Sequence, residues 1–269
     1  HRVDRRQRQM CIRDSSQAEV AEAAQGAIEL HDVDFGYSGT SQLVAEDLSV
    51  RIEPGTTVAV VGTTGAGKST LVKLLVRFYD PVSGKVTAGG TDIQELPIRV
   101  WRSHIGFVPQ EAHLFSGTIA ENIAYGKPDA SREEITDTAR RVGALTAIAS
   151  IPGGFTHQIG ERGLGLSSGQ RQLIALARAE MLQPQIMLLD EATATLDPAT
   201  EASFLEASDR VTKGRTSIVV AHRLATAEHA DRILVVDEGA IIEDGTHEEL
   251  LQHGGHYAQM WKSQTHVSA

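Results

Sequence analysis

Residues 62–70 read GTTGAGKST. Gly62 and Gly67 frame four residues ahead of Lys68 and Ser69, the spacing of a loop that cradles phosphates on its backbone. Upstream, Thr57–Val61 (TVAVV) is a β-branched apolar run of buried-strand length. Downstream, Leu71, Leu74, Leu75 and Phe78 continue at helical spacing. Strand, glycine loop and helix is the context such a loop needs. Gly62, Gly65 and Gly67 permit φ > 0 and close backbone approach to a ligand. The loop N–H groups, from Gly62 through Thr63, Thr64, Gly65, Ala66, Gly67, Lys68 and Ser69 to Thr70, then form a concave anion site at a helix N-terminus. Lys68 adds a point charge for outer phosphates, and the Ser69 hydroxyl is a hard oxygen suited to Mg²⁺. The loop is expected to bind a nucleoside triphosphate, against the plain alternative of a glycine-rich turn that binds nothing.

Composition sets outer limits. At 269 residues and 41% hydrophobic, the chain can bury one substantial core or two small ones. A net charge of −10 speaks against nucleic acid as main partner, because that partner needs a basic face. Cys11 is the single cysteine, which excludes an internal disulfide and suits a reducing cytosolic setting. The longest apolar runs are strand-length, far below the roughly 18 residues of a membrane helix, so the chain is expected to be soluble by itself. It begins at His1, which suggests a piece of something longer. Residues 1–16 carry Arg2, Arg5, Arg6, Arg8 and Arg13 without apolar periodicity and read as a disordered tail or remnant rather than a membrane-surface arm. Residues 17–26 are Ala/Glu-rich and read as a linker with helical leaning, so 1–26 is taken as tail and linker and 27–269 as one domain.

From Ala27 the pattern alternates. Ile28 and Leu30 in one run, and Leu48, Val50 and Ile52 in another, predict antiparallel strands, and a second pair is expected around Gly84 to Ala88 with a turn at Gly89-Gly90. Tyr37 lies between the first two runs and by itself reads as a packed core aromatic. Ile105–Val108 predicts a strand ending at Pro109-Gln110, and residues 111–163 have a helical texture. Ser131 with Glu134 fits a capping box, as does Thr246 with Glu249, and Ser167 is placed to cap a helix bearing Leu173, Ile174, Leu176 and Ala177. Runs at 186–189, 218–221 and 233–236 are wholly apolar; the first ends in Asp190-Glu191 and the second in His222, while Glu238-Gly239 makes a hairpin turn.

Continuous apolar strands separated by helices indicate a parallel sheet covered on both faces, with ligands bound beyond the carboxyl ends of its strands. The phosphate loop, Gln110, Asp190-Glu191 and His222 all fall there. Asp190 is the expected Mg²⁺ partner of Ser69, and Glu191 a candidate general base for an attacking water. His222 is expected to meet the γ-phosphate rather than to serve as a core histidine. His247, His253 and His256 read as a solvated C-terminal face rather than a metal site.

On these residues the chain resembles the nucleotide-binding domain of ATP-binding cassette (ABC) transporters over about residues 27 to 265. GTTGAGKST and IMLLDE match the two Walker motifs, Gln110 the Q-loop, LSSGQ (166–170) the signature, Leu196-Asp197 the D-loop and His222 the switch histidine. Tyr37 matches the aromatic that stacks on adenine, which replaces the core-packing reading. Gly160-Glu161-Arg162-Gly163 and LFSGTIAENIAYG (114–126) look like exporter-type segments. Ser168 stands where the family usually has Gly, and Ala194-Thr195-Leu196-Asp197 where Ser-Ala-Leu-Asp is typical.

The resemblance implies an α/β fold: a P-loop NTPase (RecA-like) core with a mostly parallel sheet, an N-terminal antiparallel β-subdomain and an inserted helical subdomain at about 111–180. It implies ATP and Mg²⁺ as cofactors, with Ser69, Gln110 and Asp190 toward the metal and Glu191, His222, Gln110 and Lys68 as the catalytic set. It further implies that two domains pair head to tail, each ATP lying between one Walker loop and the partner's Ser167, Ser168, Gly169, Gln170 and Asp197. The function implied is an Mg-ATP-hydrolysing motor of an exporter at the cytoplasmic face of a membrane, with transmembrane domains fused upstream. An ATP-gated clamp with little turnover and a soluble ABC ATPase unconnected with transport stay open as alternatives.

Overall fold

The computed structural model describes residues 17–37, 39, 43–160, 163, 165–190, 198–221 and 223–267. Helix α1 (Gln17–Gln25) precedes β1 (Ile28–Phe35) and β2 (Ala45–Ile52), and the strand of the glycine loop is β3 (Thr57–Val61), followed by α2 (Lys68–Leu75). Next come β4 (Ser83–Ala88), β5 (Thr91–Asp92), α3 (Ile98–Ser103) and β6 (Ile105–Val108). A helical segment contains β7 (Gly117–Thr118), α4 (Ile119–Ile123), α5 (Arg132–Val142), α6 (Leu145–Ala149), β8 (Gln158–Ile159) and α7 (Ser168–Glu180). The chain continues through β9 (Ile186–Asp190), α8 (Pro198–Thr212), β10 (Thr216–Val220), α9 (Leu224–Ala227), β11 (Arg232–Asp237), β12 (Ala240–Gly245), α10 (His247–His253) and α11 (His256–Val267).

Two sheets carry the domain. The antiparallel one has the order β2-β1-β4-β5, and its buried face is the alternating set Ile28, Leu30, Val33, Leu48, Val50 and Ile52. The larger one has the order β12-β11-β3-β10-β9-β6, with β11, β3, β10, β9 and β6 parallel and β12 added antiparallel at one edge. This is the P-loop NTPase fold, with an antiparallel β-subdomain beside the parallel sheet. The wholly apolar strands have a direct cause. Val58 and Val60 of β3 enter a core shared with the antiparallel sheet, while Ala59 and Val61 enter another beneath α9, α10 and α11. In β9, Leu188 joins the first core, whereas Met187 and Leu189 face the helical segment. A strand buried on both faces favours apolar side chains along most of its length.

The helical segment owes its form to strong local signals. Ser131 and Ser167 each accept a hydrogen bond from the N–H three residues on, and Glu134 and Gln170 return it; Thr118 with Glu121 makes a further box at α4. Ile119, Ile123, Ile135, Ala139, Leu173, Ile174 and Leu176 close the interior of this segment against β6 and β9.

Three expectations change in the structure. The stretch read as a linker with helical leaning is helical, as α1, but its Val20, Ala23 and Ala24 are buried on the antiparallel core. Phe78 does not continue the helix of the glycine loop and is exposed. Arg77 adopts φ 56°, Phe78 N–H bonds the Lys73 carbonyl and Arg77 N–H that of Leu74, a Schellman closure with arginine in the left-handed position. The Arg77 guanidinium holds this turn by donating to the Ile93 and Leu96 carbonyls at 2.6 and 2.9 Å. His247 does not lie on a solvated face with His253 and His256. It is half-buried, 2.7 Å from the Tyr257 hydroxyl through Nδ1 and packed edge-on against Trp261.

Candidate functional site

Strand β3 sits between β11 and β10, so its loop emerges at the carboxyl ends of the parallel strands, where open α/β sheets bind ligands. The loop is wedged against the β11–β12 turn. Gly62 has φ 150°, and a Cβ there would come within 2.0 Å of the Val236 carbonyl oxygen. Gly239 N–H donates to the Ala66 carbonyl at 3.0 Å, and Thr63 Oγ1 approaches Asp237 Oδ1 at 3.4 Å. Gly67, at φ 101°, caps α2, so the loop passes into the helix N-terminus through a conformation open to glycine. Lys68 is buried at 5% exposure and turns its ammonium back along the loop, donating to the carbonyls of Gly62 (3.0 Å) and Thr63 (2.9 Å).

Ser69 Oγ donates to Asp190 Oδ1 at 2.7 Å across the intervening β10. Asp190 ends β9 and is itself buried. The two residues assigned from sequence to one metal ion therefore meet. A hydroxyl beside a single carboxylate suits Mg²⁺, which takes few protein oxygens and fills its octahedron with water and phosphate.

Tyr37, two residues past β1, is half-buried. Its ring lies edge-to-face with Phe35 (5.1 Å between centroids) and Tyr79 (5.3 Å), and the Lys73 ammonium is 3.5 Å from its hydroxyl. Gln110 follows β6 by two residues and is exposed, while its backbone carbonyl accepts a hydrogen bond from Gln172 Nε2 at 2.8 Å.

Residues 166–170 form the start of α7. Ser167 is the N-cap, its Oγ accepting from Gln170 N–H at 3.2 Å and its N–H donating to Gln170 Oε1 at 2.9 Å. Ser168, Gly169 and Gln170 are the first turn, a helix N-terminus with its positive dipole end outward. Gly169 touches α8: a Cβ there would fall 1.7 Å from Thr200 Cγ2. The cavity beside this turn is lined by Gly143, Thr146, Ser150, Leu173, Thr200 and Ser203 among others, and by no residue of the glycine loop.

Glu191, Asp197, His222 and the pair Glu161-Arg162 lie outside the described residues, as do Cys11 and the arginines of residues 1–16. Their neighbours are informative. Glu201 on α8 is buried and ion-paired with Arg223, the residue after His222. Segment 114–126 is pinned by Arg178 of α7, which donates to the Asn122 and His113 carbonyls at 3.0 and 2.9 Å. Burial pushes that guanidinium down to about 10. Gln172, Thr200, Asp237 and Gly239 escaped sequence reading, because each meets its partner across a long stretch of chain. Only the Glu238-Gly239 turn had a local signal, and that signal said hairpin, not contact with the loop.

Fold and loop together define a P-loop NTPase. A family model described as "ABC transporter" matches residues 45–194, more than half the chain, and the chain belongs to that family of ATPases as an ATP-binding domain. It is 46% identical over 242 residues to a multidrug efflux ATP-binding/permease protein of Mycobacterium bovis (strain BCG / Pasteur 1173P2), covering 90% of this chain and 20% of the relative. It is 48% identical over 239 residues to ATP-binding cassette sub-family B member 6 of Mus musculus, covering 89% and 28%. It is 47% identical over 253 residues to the beta-(1-->2)glucan export ATP-binding/permease protein NdvA of Rhodopseudomonas palustris (strain BisB18), covering 94% and 42%. Among solved structures, a bacterial Atm1-family ABC exporter with ATP bound superposes with a TM-score of 0.83 at 42% identity, over 89% of this chain and 42% of that one. The chain thus spans from 20% to 42% of the length of these three relatives. Among the described residues no helix is long and apolar enough to cross a membrane.

Proposed function

We propose that this domain binds and hydrolyses Mg-ATP as the motor of a membrane exporter, working as a head-to-tail pair with a second ATP-binding domain at the cytoplasmic face. The observation that carries the reading is the 2.7 Å contact of Ser69 Oγ with Asp190 Oδ1, directly beside the buried Lys68. The loop N–H groups and Lys68 hold the phosphates, and Ser69 and Asp190, with Gln110 nearby, would hold Mg²⁺. That ion supplies charge neutralisation on the transferred phosphoryl group. Tyr37 stacks on the adenine. Glu191 orients and deprotonates the attacking water, and His222 contacts the γ-phosphate.

The signature supports the composite site. Its first turn offers the positive end of a helix dipole, and its surroundings belong to α5, α6, α7 and α8 rather than to the loop of the same chain. A partner's γ-phosphate would be drawn to that helix end. Phosphoryl transfer depends on positioning and charge stabilisation, so dividing the site between two chains makes hydrolysis conditional on closure. The exporter assignment is drawn from relatives whose names join ATP-binding and permease parts, so transmembrane segments are the expected second partner. Steady-state ATPase activity tests the reading. Turnover that rises more than linearly with protein concentration and vanishes in Lys68→Ala supports a hydrolysing dimer. ATP binding with no turnover would favour a clamp instead.

A further inference from the structure

Gln172 is the fifth residue of α7 and is 3% exposed. Its Nε2 donates to the Gln110 carbonyl at 2.8 Å, and its Oε1 is buried with no hydrogen-bond partner among the described residues. Leu173, Ile174 and Leu176 beside it are buried and apolar. A methionine would fill this position without burying an amide, so the half-satisfied glutamine is unfavourable for packing alone. What it adds is a link, nearer the signature turn than the Arg178–His113 bond, between two elements. One is the loop after β6 that carries Gln110; the other is the helix whose first turn is Ser168-Gly169-Gln170.

We propose that Gln172 is a positioning residue that makes the Gln110 loop and the signature helix move as one body. Gln110 belongs to the domain's own nucleotide site, whereas the signature serves the partner's. Through Gln172, a nucleotide engaged by Gln110 sets the orientation of the signature turn that the same domain presents across the dimer. The link runs through a main-chain carbonyl, so removing the Gln110 side chain leaves the hydrogen bond in place while removing the nucleotide's hold on the loop. The proposal rests on the composite-site reading above.

The test is a double-mutant cycle in the full chain, measuring kcat, the affinity of the domain for a fluorescent ATP analogue and the melting temperature. Gln172→Met should lower kcat about tenfold, the scale of one lost buried hydrogen bond, with nucleotide affinity unchanged. In a Gln110→Ala background, which keeps the carbonyl but removes the side chain, Gln172→Met should lower kcat much less. A merely structural link predicts the same fractional loss of kcat in both backgrounds, and that result overturns the proposal. Gln172→Asn keeps the amide but is one methylene too short to reach, so it should match Gln172→Met; wild-type kcat in Gln172→Asn also overturns it. If neither variant folds, the bond is a structural strut and the proposal fails. An inactive wild-type chain is a separate failure, that of the functional reading itself, and takes this proposal with it.

Discussion

Replacing Gly169 by alanine sets two opposed effects against each other at the signature. Alanine favours a helix over glycine by up to about 1 kcal/mol, less near an N-terminus where the turn is half-formed. Against this, the new methyl would lie 1.7 Å from Thr200 Cγ2 and 3.1 Å from Thr200 Cβ. Carbon atoms rest at about 3.5–4.0 Å, so α7 and α8 must part or Thr200 must leave its rotamer. Overpacking of this kind costs about 1–3 kcal/mol. The clash therefore wins, with a net loss of about 1–2 kcal/mol and a fall in melting temperature of roughly 2–8 °C for a chain of this size. Thr200→Ser removes Cγ2 and leaves the 3.1 Å contact, which small shifts absorb. Combined with Gly169→Ala it should recover most of the loss, a coupling of about 0.5–2 kcal/mol. Thermal melts of the four proteins of the cycle, with ATPase rates alongside, decide the matter. A melting temperature at or above wild type in Gly169→Ala, or no rescue by Thr200→Ser, refutes the packing of α7 on α8 described here.

Lys68→Ala removes the cation that bridges the Gly62 and Thr63 carbonyls and should weaken ATP binding and reduce turnover to background; near-normal turnover would contradict the loop assignment. Tyr37→Ala should weaken ATP binding by about 1–3 kcal/mol if the ring stacks on adenine, a range taken from base stacking in nucleic-acid binders. Unchanged affinity by titration would leave Tyr37 as packing for Phe35 and Tyr79 alone. The Lys127 ammonium and the Ser131 N–H hold Glu134 below the usual carboxylate range. Its folded value lies under its unfolded value of 4.5, so its contribution is present above about pH 4.5 and is lost as pH falls through the folded value. Glu134→Gln should therefore show a flatter loss of stability than wild type below pH 4.5, read from acid-dependent melts.

The parallel sheet was legible because strands buried on both faces are mostly apolar, and TVAVV and IMLL are such runs. Capping boxes at Ser131 and Thr246 were legible because serine or threonine followed three residues on by glutamate is a local signal, and Ser167 was legible as an N-cap, its box with Gln170 appearing only in the structure. The meeting of Ser69 with Asp190 was legible because Asp190 ends an apolar strand at the same carboxyl edge as the glycine loop. The end of α2 was not. Nothing local marks Arg77 as a left-handed residue, because the carbonyls that hold it belong to Ile93 and Leu96. Helix α1 looked like a linker because Val20 is its single large apolar residue, and alanine buries as readily as it solvates. Gln172 and Thr200 were invisible for the same reason as Arg77: their partners lie far away in sequence.

The central claim is that one domain's loop and another's signature complete a single ATP site. Glu191→Gln tests it most directly, because the amide keeps the shape of the proposed base but cannot take a proton from water, with loss of a general base typically slowing reaction by about 10²–10⁴. With saturating Mg-ATP this variant should elute and sediment at twice the mass of the 28.9 kDa chain, and adding Ser167→Arg should return it to monomer while its own loop still binds ATP. A Glu191→Gln chain that stays strictly monomeric at high protein concentration, with ATP demonstrably bound, would contradict the composite site.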